Sequence, residues 1–359
     1  MRIPLALAFA MLFVTGCSGG RFTGGQYYDG ALELDRVIEE CPGLTEHANA
    51  VDTFLVIGHR GAAAREVENT IPSMRAAVEE DSANAVEIDL VFTADGQVAL
   101  WHDWDPNSPI SLVREGGLEP SVKYRPVYPD ARTGMRKPAN ELTLAQLRTH
   151  YGYALKDTAG SDARVDATIP TFEEFVRWAA ARPRLRYVFL DIKAPGSDTA
   201  TAHRMIMAME KTLASISHRF RPVYLTPAQE VYDVIASHID GANLSFDLDL
   251  PGGAVTDPCG INSASVAFNR GKGFASTVHP FASTLLPWTT LKRLLACDVR
   301  LRDSVAADGT RSPIEKVIAA TINEVEKMEC LIGIGVDGLI TDDPKKLRQL
   351  ARRLGKRVD

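Results

Sequence analysis

The chain has 359 residues, of which 45% are hydrophobic and 24% are charged, and its formal net charge is −6. This composition can support a large core and excludes a wholly disordered chain. Basic residues cluster only near the C-terminus, where they alternate with leucine at helical spacing and favour a solvated helix face. Nucleic-acid binding is therefore not expected.

The N-terminus has the pattern of a processing segment. Arg2 supplies positive charge, and Ile3–Val14 form an apolar stretch that is too short for a transmembrane helix. The text Val14-Thr-Gly-Cys17 resembles the bacterial lipobox, in which cleavage precedes a cysteine that is then lipidated. An ordinary signal peptide followed by a chance cysteine is the alternative. We expect lipidation of Cys17 and a mature protein that is anchored to a membrane outside the cytoplasm.

We divide the chain into three regions: a signal peptide over 1–16, a tether and lead-in over 17–50, and one folded domain over 51–359. Four cysteines remain after Cys17, and an even number in an oxidising compartment predicts one or two disulfides, with the pairing open. Without CxxC spacing, a zinc site is not expected. The four are Cys41, Cys259, Cys297 and Cys330.

From Phe54 onward, short apolar runs alternate with longer helical patterns, which is typical of βα units around a parallel sheet. Eight such units predict a TIM (β/α)8 barrel. A turn at Thr93–Gly96 also predicts a hairpin after the second strand. The predicted barrel strands are Phe54–Ile57, Ala85–Leu90, Leu185–Ile192, Pro222–Leu225, Asn243–Phe246, Ser265–Phe268, Asp298–Leu301 and Asp337–Thr341. The predicted helices are Asn69–Glu80, Leu142–Tyr151, Thr171–Arg182, Thr199–Ser217, Gln229–His238, Trp288–Cys297 and Pro313–Gly333.

Residues 104–140 interrupt this alternation. The segment contains six prolines and the pair Gly116-Gly117, which predicts a long irregular insertion. Loops of such length are typical of functional lids or mobile segments.

Charged residues occupy predicted strands where a buried sheet should be apolar. Glu87 and Asp89 are two residues apart, so their side chains share one face of a strand, and two adjacent carboxylates repel unless a cation or a proton lies between them. Asp191, on the next main strand, can supply a third oxygen. Three carboxylates without cysteine predict a hard divalent cation, Ca²⁺ or Mg²⁺. The alternative is a carboxylate pair that is neutralised by Arg60, Lys193 and backbone donors.

Two histidines and two cations complete this set of candidate residues. His59 directly follows the first strand and His102 ends the hairpin, so the pair can act as general acid and base, although each alone is more often structural. Arg60 and Lys193 bring positive charge beside the carboxylates, which predicts a phosphate oxygen at that point. A structural ion network is the alternative.

In order and spacing, these residues resemble the glycerophosphodiester phosphodiesterase family from about residue 54 to about residue 350. The resemblance rests on the following motifs: Gly58-His-Arg-Gly61, Glu68-Asn-Thr70, Glu87-x-Asp89, Thr93-x-Asp-Gly96, His102-Asp103, Glu141-Leu-Thr-Leu144, Ile169-Pro-Thr171, Asp191-Ile-Lys193 and Gly335-Val-Asp-Gly-Leu-Ile-Thr-Asp-Asp-Pro344.

The resemblance implies a TIM barrel that hydrolyses glycerophosphodiesters to glycerol 3-phosphate and an alcohol. It implies that His59 and His102 act as acid and base. It also implies that Glu87, Asp89 and Asp191 hold the cation, and that Arg60 and Lys193 bind the phosphate. A substrate hydroxyl is often drawn as the nucleophile, which gives a cyclic phosphate that water then opens.

Three departures from the family pattern affect the expected substrate. The third ligand is usually glutamate, whereas here it is Asp191. The seventh strand usually reads Trp-Thr-x-Asn, whereas the predicted seventh strand region reads Val299-Arg-Leu-Arg-Asp303, which predicts a more charged pocket. The insertion 104–140 is also long. A sphingomyelinase D-like phospholipase that forms a cyclic phosphate and an inactive phosphodiester-binding lipoprotein are the alternatives.

Overall fold

The computed structural model describes residues 41, 53–156, 164–239, 242–246, 274–275, 288–303 and 315–359. The predicted signal peptide, Cys17, Cys259 and the predicted strand Ser265–Phe268 lie outside these residues. Among the described residues, no helix is both long enough and apolar enough to cross a membrane.

Eight of the described strands pair in parallel to form the predicted TIM barrel. Their order around the sheet is β8-β7-β6-β2-β1-β11-β10-β9, and Cα atoms of the two end strands, β8 and β9, come within 8 Å of each other. In chain order the strands are β1 (Leu55–Gly58), β2 (Ala85–Phe92), β3 (Val98–Leu100), β4 (Tyr124–Val127), β5 (Gly152–Leu155), β6 (Tyr187–Ile192), β7 (Arg221–Thr226), β8 (Leu244–Phe246), β9 (Phe274–Ala275), β10 (Lys316–Ala319) and β11 (Gly338–Thr341).

Most of the helices cover the outside of the sheet. They are α1 (Ile71–Arg75, continued by a π-helical turn over Ala76–Glu80), α2 (Pro109–Glu115), α3 (Leu144–His150), α4 (Phe172–Ala180), α5 (Thr199–Ser215), α6 (Gln229–His238), α7 (Trp288–Asp303), α8 (Val325–Ile334) and α9 (Pro344–Arg353). A large apolar core packs between these helices and the sheet. Because both faces of the strands are covered, most of their residues are apolar, as expected for a parallel sheet.

A second, smaller core fills the inside of the barrel. Its members alternate along the strands with residues that face the helices, because successive strand side chains point to opposite faces. They are Leu55, Ile57, Ala85, Tyr187, Phe189, Val223, Leu225, Ile318, Ala320 and Ile340. Because every second residue of a strand points inward, these positions also show which residues farther along each strand point inward.

Two sequence predictions in the C-terminal part are wrong. The predicted strand Asp298–Leu301 belongs to helix α7, where Leu291, Leu295 and Val299 are buried at a spacing of four residues. The predicted helix Pro313–Gly333 instead contains strand β10 before helix α8 begins. Short apolar runs such as Val317–Ala319 fit either a buried strand or a buried helix, so the local pattern does not decide between them.

The insertion 104–140 is more ordered than its sequence predicted. It contains helix α2 and strand β4, which pairs with β5 in a separate two-stranded sheet. An aromatic cluster holds this subdomain on the barrel, with Trp101 in edge contact with Tyr128 and Tyr151. The insertion is therefore a packed element beside the mouth of the barrel.

One of the possible disulfides is present in the structure. Cys41, in the lead-in, is bonded to Cys330 on helix α8, 289 residues away in sequence. The bond joins Cys41 to the helical layer outside the barrel. The side chains of Cys259 and Cys297 lie outside the described part of the structure.

A substitution at Gly338 tests whether β11 packs closely between β1 and β10. A Cβ atom at this position would lie 2.6 Å from Leu55 Cβ and 3.0 Å from Ile318 Cδ1. We expect Gly338→Ala to lower the free energy of unfolding by about 1–3 kcal/mol in urea denaturation. The control is Gly116→Ala, where the nearest atoms are 3.4 Å away. Equal stability of the two variants would contradict this packing.

Candidate active site

Every second residue of the barrel strands points inward, and at the C-terminal ends of the strands these inward residues change from apolar to polar. Along β1, Leu55 and Ile57 are followed by His59, and along β11, Ile340 is followed by Asp342. On β2, Ala85 is followed by Glu87 and Asp89, and on β6, Phe189 is followed by Asp191. The same alternation that fills the barrel therefore directs these polar side chains into its mouth.

The three carboxylates predicted to bind a cation come together at this mouth. Glu87, Asp89 and Asp191 are all buried, and each offers an oxygen within 4.8 Å of the others. The parallel pairing of β2 with β6 places Asp89 directly beside Asp191. The mutual repulsion of these groups makes the cluster unfavourable without compensating positive charge.

Lys193 provides part of that charge. Its Nζ donates to Asp191 Oδ2 at 2.6 Å and lies 3.0 Å from Asp89 Oδ1. Burial alone would lower the pKa of Lys193, but Asp191 and Asp89 outweigh it and raise the pKa above its ordinary value. Burial would likewise raise the pKa of Asp89, yet Lys193 and Arg60 hold it well below the usual range. Lys193 and Asp89 are therefore both charged.

Glu87 and Asp191 are less well compensated. Burial, together with repulsion from Asp89 and Asp191, raises the pKa of Glu87 well above its ordinary value. The pKa of Asp191 is also raised, mainly by burial, against the opposing effect of Lys193. Of the atoms that the structure describes, Glu87 Oε1 and Asp191 Oδ1 are buried carboxylate oxygens without a hydrogen-bond partner.

These two orphaned oxygens bear on whether the three carboxylates fit a divalent cation. A buried polar atom without a partner is costly, and an ion bound between the carboxylates would satisfy both oxygens. Cation–oxygen distances of about 2.0–2.6 Å are compatible with ligand oxygens within 4.8 Å of one another. The donor set contains oxygen alone. Glu87, Asp89 and Asp191 therefore fit a hard divalent cation.

His59 is fixed in orientation by a carboxylate from the far end of the chain. Its Nδ1–H donates to Asp342 Oδ1 at 2.7 Å, and its Nε2 lies 4.0 Å from Glu87 Oε2. Asp342 is itself held by Asn323, whose Nδ2 donates to Asp342 Oδ2 at 2.6 Å and whose Oδ1 accepts from the Asp342 backbone at 2.9 Å. This chain of contacts directs Nε2 of His59 toward the carboxylate cluster.

His102 reaches the same region through the hairpin of β2 and β3. The Trp101 backbone N–H donates to the Asp89 carbonyl at 3.1 Å, which returns the chain to the level of the cluster. His102 Nδ1–H donates to Asp103 Oδ1 at 2.8 Å. Burial, aided by the positive charges of Arg114, Arg60 and Lys193, lowers the pKa of His102 well below its ordinary value. The neutral imidazole therefore predominates at neutral pH.

Arg60 is almost fully buried, with 1% exposure, and is surrounded by carboxylates. Its Nη1 donates to Glu68 at 2.8 Å and to Glu119 at 2.9 Å. Nε forms an ion pair with Asp89 Oδ2 at 2.8 Å, although its N–H is not aligned for a hydrogen bond. In this conformation Arg60 belongs to an ion network, and its contact with a phosphate stays a prediction.

The backbone conformation explains why a glycine follows Arg60. Arg60 and Gly61 are both left-handed, with φ of 50° and 92°, and a Cβ on Gly61 would lie 2.4 Å from Ser73 Oγ. This tight turn directs the Arg60 backbone N–H toward Glu87 Oε2, to which it donates at 2.9 Å. The Gly-His-Arg-Gly motif thus gives a turn that supports the cluster.

Each residue of the Glu68-Asn-Thr70 motif makes a specific hydrogen bond in or near the site. Glu68 accepts from Arg60 and from Arg114. Asn69 donates from Nδ2 to Asp89 Oδ2 at 2.7 Å and accepts the Asp89 backbone N–H at 3.1 Å. Thr70 caps helix α1 by accepting from the Ser73 backbone. The motif therefore orients Asp89, although the sequence analysis assigned it no contact.

The sequence analysis missed Asn323 because it placed the seventh strand incorrectly. Strand β10 is followed by Ala320-Thr-Ile-Asn323, so the Thr-x-Asn part of the expected family text is present here and not at 299–303. Arg302 instead lies at the opposite end of the barrel, where its Nη1 donates to the Gly335 carbonyl and to Asp337. Arg302 thus adds no charge to the pocket, and the side chain of Arg300 lies outside the described residues.

The raised pKa of Glu87 predicts that cation binding depends on pH. A proton on Glu87 competes with the cation, so affinity should fall as the pH falls through the raised pKa, and binding should release protons. Calorimetric titration with Mg²⁺ or Ca²⁺, in buffers of different ionisation enthalpy from about pH 5 to about pH 8, measures both effects. Glu87→Gln should remove most of the proton release, whereas the exposed Glu173→Gln should keep it. An affinity that is independent of pH would contradict the raised pKa.

Comparison with known proteins agrees with this geometry. Residues 59–226 match the model of the glycerophosphoryl diester phosphodiesterase family, a span that contains His59, His102, the three carboxylates and Lys193. No curated protein sequence matched the chain.

Several solved structures share the fold. A candidate glycerophosphoryl diester phosphodiesterase from Silicibacter pomeroyi is 19% identical, with 89% of this chain and 98% of that chain covered and a TM-score of 0.60. An Oleispira antarctica phosphodiesterase, solved with the product sn-glycerol-3-phosphate, is 16% identical over 84% of this chain and 97% of that chain, with a TM-score of 0.54. A Thermotoga maritima glycerophosphodiester phosphodiesterase is 16% identical over 83% of this chain and 99% of that chain, with a TM-score of 0.51. These structures share the fold, and residues 59–226 form a domain of the glycerophosphoryl diester phosphodiesterase family.

Proposed function

We propose that this chain is a phosphoric diester hydrolase that converts glycerophosphodiesters to glycerol 3-phosphate and an alcohol with a divalent cation. The observation that carries the proposal is a pair of buried imidazoles, His59 and His102, each held through Nδ1 by a carboxylate beside one cluster of three carboxylates. The family domain supports the same reaction. The product bound in the Oleispira protein is sn-glycerol-3-phosphate, which is the product proposed here.

We infer that Glu87, Asp89 and Asp191 hold the cation, and that it is Mg²⁺ or Ca²⁺. When bound, the ion supplies Lewis-acid stabilisation of negative charge on the phosphoryl oxygens. Asp191 is one methylene shorter than the glutamate expected at this position. Its Oδ2 is engaged by Lys193, whereas its Oδ1 is the orphaned oxygen, so Oδ1 is the atom that we assign to the cation.

His59 and His102 are proposed to transfer protons at Nε2, because Nδ1 of each ring is engaged by Asp342 or Asp103. One imidazole accepts the proton of the attacking substrate hydroxyl as the new P–O bond forms. The other donates a proton to the alcohol oxygen as the old P–O bond breaks. Water then opens the resulting cyclic phosphate by the reverse sequence of proton transfers. The fixed Nδ1 contacts favour one tautomer in each ring.

Lys193 and Arg60 are proposed to contact the substrate phosphate, with different accessibility. The Lys193 side chain is 13% exposed, whereas that of Arg60 is 1% exposed and is surrounded by Glu68, Glu119 and Asp89. Lys193 is therefore the better placed of the two in this conformation. A phosphate that approaches Arg60 must exchange with one of these carboxylates.

Turnover of glycerophosphocholine tests the proposal. We expect the purified protein with Mg²⁺ or Ca²⁺ to release glycerol 3-phosphate, and expect exhaustive chelation to abolish the activity reversibly. His102→Ala should lower kcat by about a hundredfold or more, because it removes one proton-transfer group, and cation affinity should remain. His150→Ala, at the C-terminal end of helix α3, is the matched control.

The products separate the alternative functions. Choline release from lysophosphatidylcholine that leaves a cyclic phosphate, without turnover of glycerophosphocholine, would favour a sphingomyelinase D-like phospholipase. Binding of phosphodiesters without any turnover would favour an inactive binding protein. Either result would contradict the proposed function.

We also propose that the mature protein is anchored to the cell envelope by lipid on Cys17. The support is the lipobox-like text before Cys17, together with the Cys41–Cys330 disulfide, since such bonds are typical of oxidising compartments. An anchored enzyme would meet diesters derived from lipids at the membrane surface.

Cys17→Ser tests the anchor. We expect the wild-type protein to sediment with membranes after expression in bacteria, and expect the variant to appear in the soluble fraction with unchanged turnover. Cys297→Ser is the matched control. Membrane association that is equal in wild type and Cys17→Ser would contradict lipidation at this residue.

A further inference from the structure

We propose that Arg114, from helix α2 of the insertion 104–140, is a positioning residue that holds Asp103 and thereby orients the His102 imidazole. The proposal rests on the proposed function insofar as His102 transfers a proton to or from the substrate. It assigns the insertion a direct part in building the active site.

The contacts of Arg114 are those of a buried connector. Its side chain is 3% exposed, and its Nε donates to Asp103 Oδ1 at 3.1 Å and lies 3.3 Å from Oδ2. Its two terminal nitrogens donate to Glu119 and to Glu68. Burial of a guanidinium is tolerated only when its donors are satisfied, and three carboxylates satisfy this one.

Asp103 Oδ1 is the atom that joins Arg114 to the imidazole. The same oxygen accepts the His102 Nδ1–H at 2.8 Å and the Arg114 Nε–H at 3.1 Å, with Ser111 Oγ at 3.3 Å. A buried carboxylate that is held by a fixed guanidinium keeps one rotamer, and a fixed carboxylate keeps one orientation of the ring that it binds. Without Arg114, this carboxylate would keep its contacts with His102, Ser111 and Tyr128 but would lose its cationic partner.

Arg114 also joins His102 to the network around Arg60. Glu68 and Glu119 each accept from both arginines, and the corresponding Arg60 distances are 2.8 and 2.9 Å. The two guanidinium groups are therefore bridged by two shared carboxylates. Displacement of Arg114 would release one side of each bridge as well as Asp103.

The local sequence explains why a seven-residue helix can place this side chain accurately. Ser108 caps helix α2 by accepting from the Ser111 backbone, and Ser111 Oγ donates to the Asp105 carbonyl at 2.7 Å. Ser111 and Arg114 are the buried residues of the helix and lie three residues apart on one face. A lysine at position 114 would carry the charge but cannot form the three-way fork.

Arg114→Ala and Arg114→Lys test the proposal. We expect kcat for glycerophosphocholine to fall by about tenfold to a hundredfold in Arg114→Ala, with cation affinity unchanged. Guanidinium ion added in solution should restore part of the activity, which loss of a merely structural side chain would not permit. Arg114→Lys should retain the fold but recover less of kcat than the rescued alanine variant.

Arg136→Ala is the matched control within the same insertion. Arg136 binds Glu115 at 2.8 Å and the Pro106 carbonyl at 3.0 Å, and so holds the insertion together at a different point. We expect this variant to keep kcat near the wild-type value and to show no response to guanidinium. An equal loss of kcat in Arg136→Ala and Arg114→Ala would overturn the proposal, because it would indicate a general effect on the insertion.

Nitrogen NMR of the imidazoles separates failure of this proposal from failure of the proposed function. In the wild type we expect His102 to show a single tautomer with the proton on Nδ1, and in both Arg114 variants a mixture of tautomers; His102→Gln identifies the signal. This readout needs neither substrate nor turnover. An unchanged His102 tautomer in both Arg114 variants would overturn the positioning role even if the enzyme is active, whereas an inactive wild type would overturn the function alone.

Discussion

The burial of three carboxylates at one end of the barrel is the constraint on which the rest of the site depends. Glu87, Asp89 and Asp191 lie within 4.8 Å of one another with little exposure to solvent. Such a cluster is stable only if positive charge surrounds it, and Lys193 and Arg60 supply part of that charge. Two orphaned oxygens and the raised pKa of Glu87 show where compensation is incomplete, and there a cation fits.

The barrel supports this cluster because its strands alternate inward and outward side chains. Apolar inward residues fill the interior, and the next inward positions along four strands bring His59, Glu87, Asp191 and Asp342 to the same mouth. The apolar core below excludes water from one side of the site. Burial is the main cause of the lowered pKa of His102. For Asp89, burial alone would raise the pKa, but the charges of Lys193 and Arg60, strengthened by the low dielectric, hold it low.

The insertion 104–140 connects the residues around Arg60 with those around His102. Its carboxylate Glu119 and its guanidinium Arg114 enter the network that holds Arg60 and Asp103. The network holds two guanidinium groups against four carboxylates, so removal of either arginine leaves further negative charge uncompensated. A region whose prolines predicted an irregular loop thus contributes side chains to the site, because its aromatic residues pack it on the barrel.

The sequence alone was enough to predict the barrel and to single out the two histidines and the three carboxylates, because strand alternation and short motifs are local patterns. It left open which residues orient them. Asp342 meets His59 across 283 residues, Cys41 meets Cys330 across 289, and Arg114 meets Glu68 across 46. Contacts of this length follow from closure of the barrel and docking of the insertion, which no local periodicity encodes. For the same reason the local pattern predicts helix at β10: its short apolar run forms a strand only because β11 and β9 lie beside it.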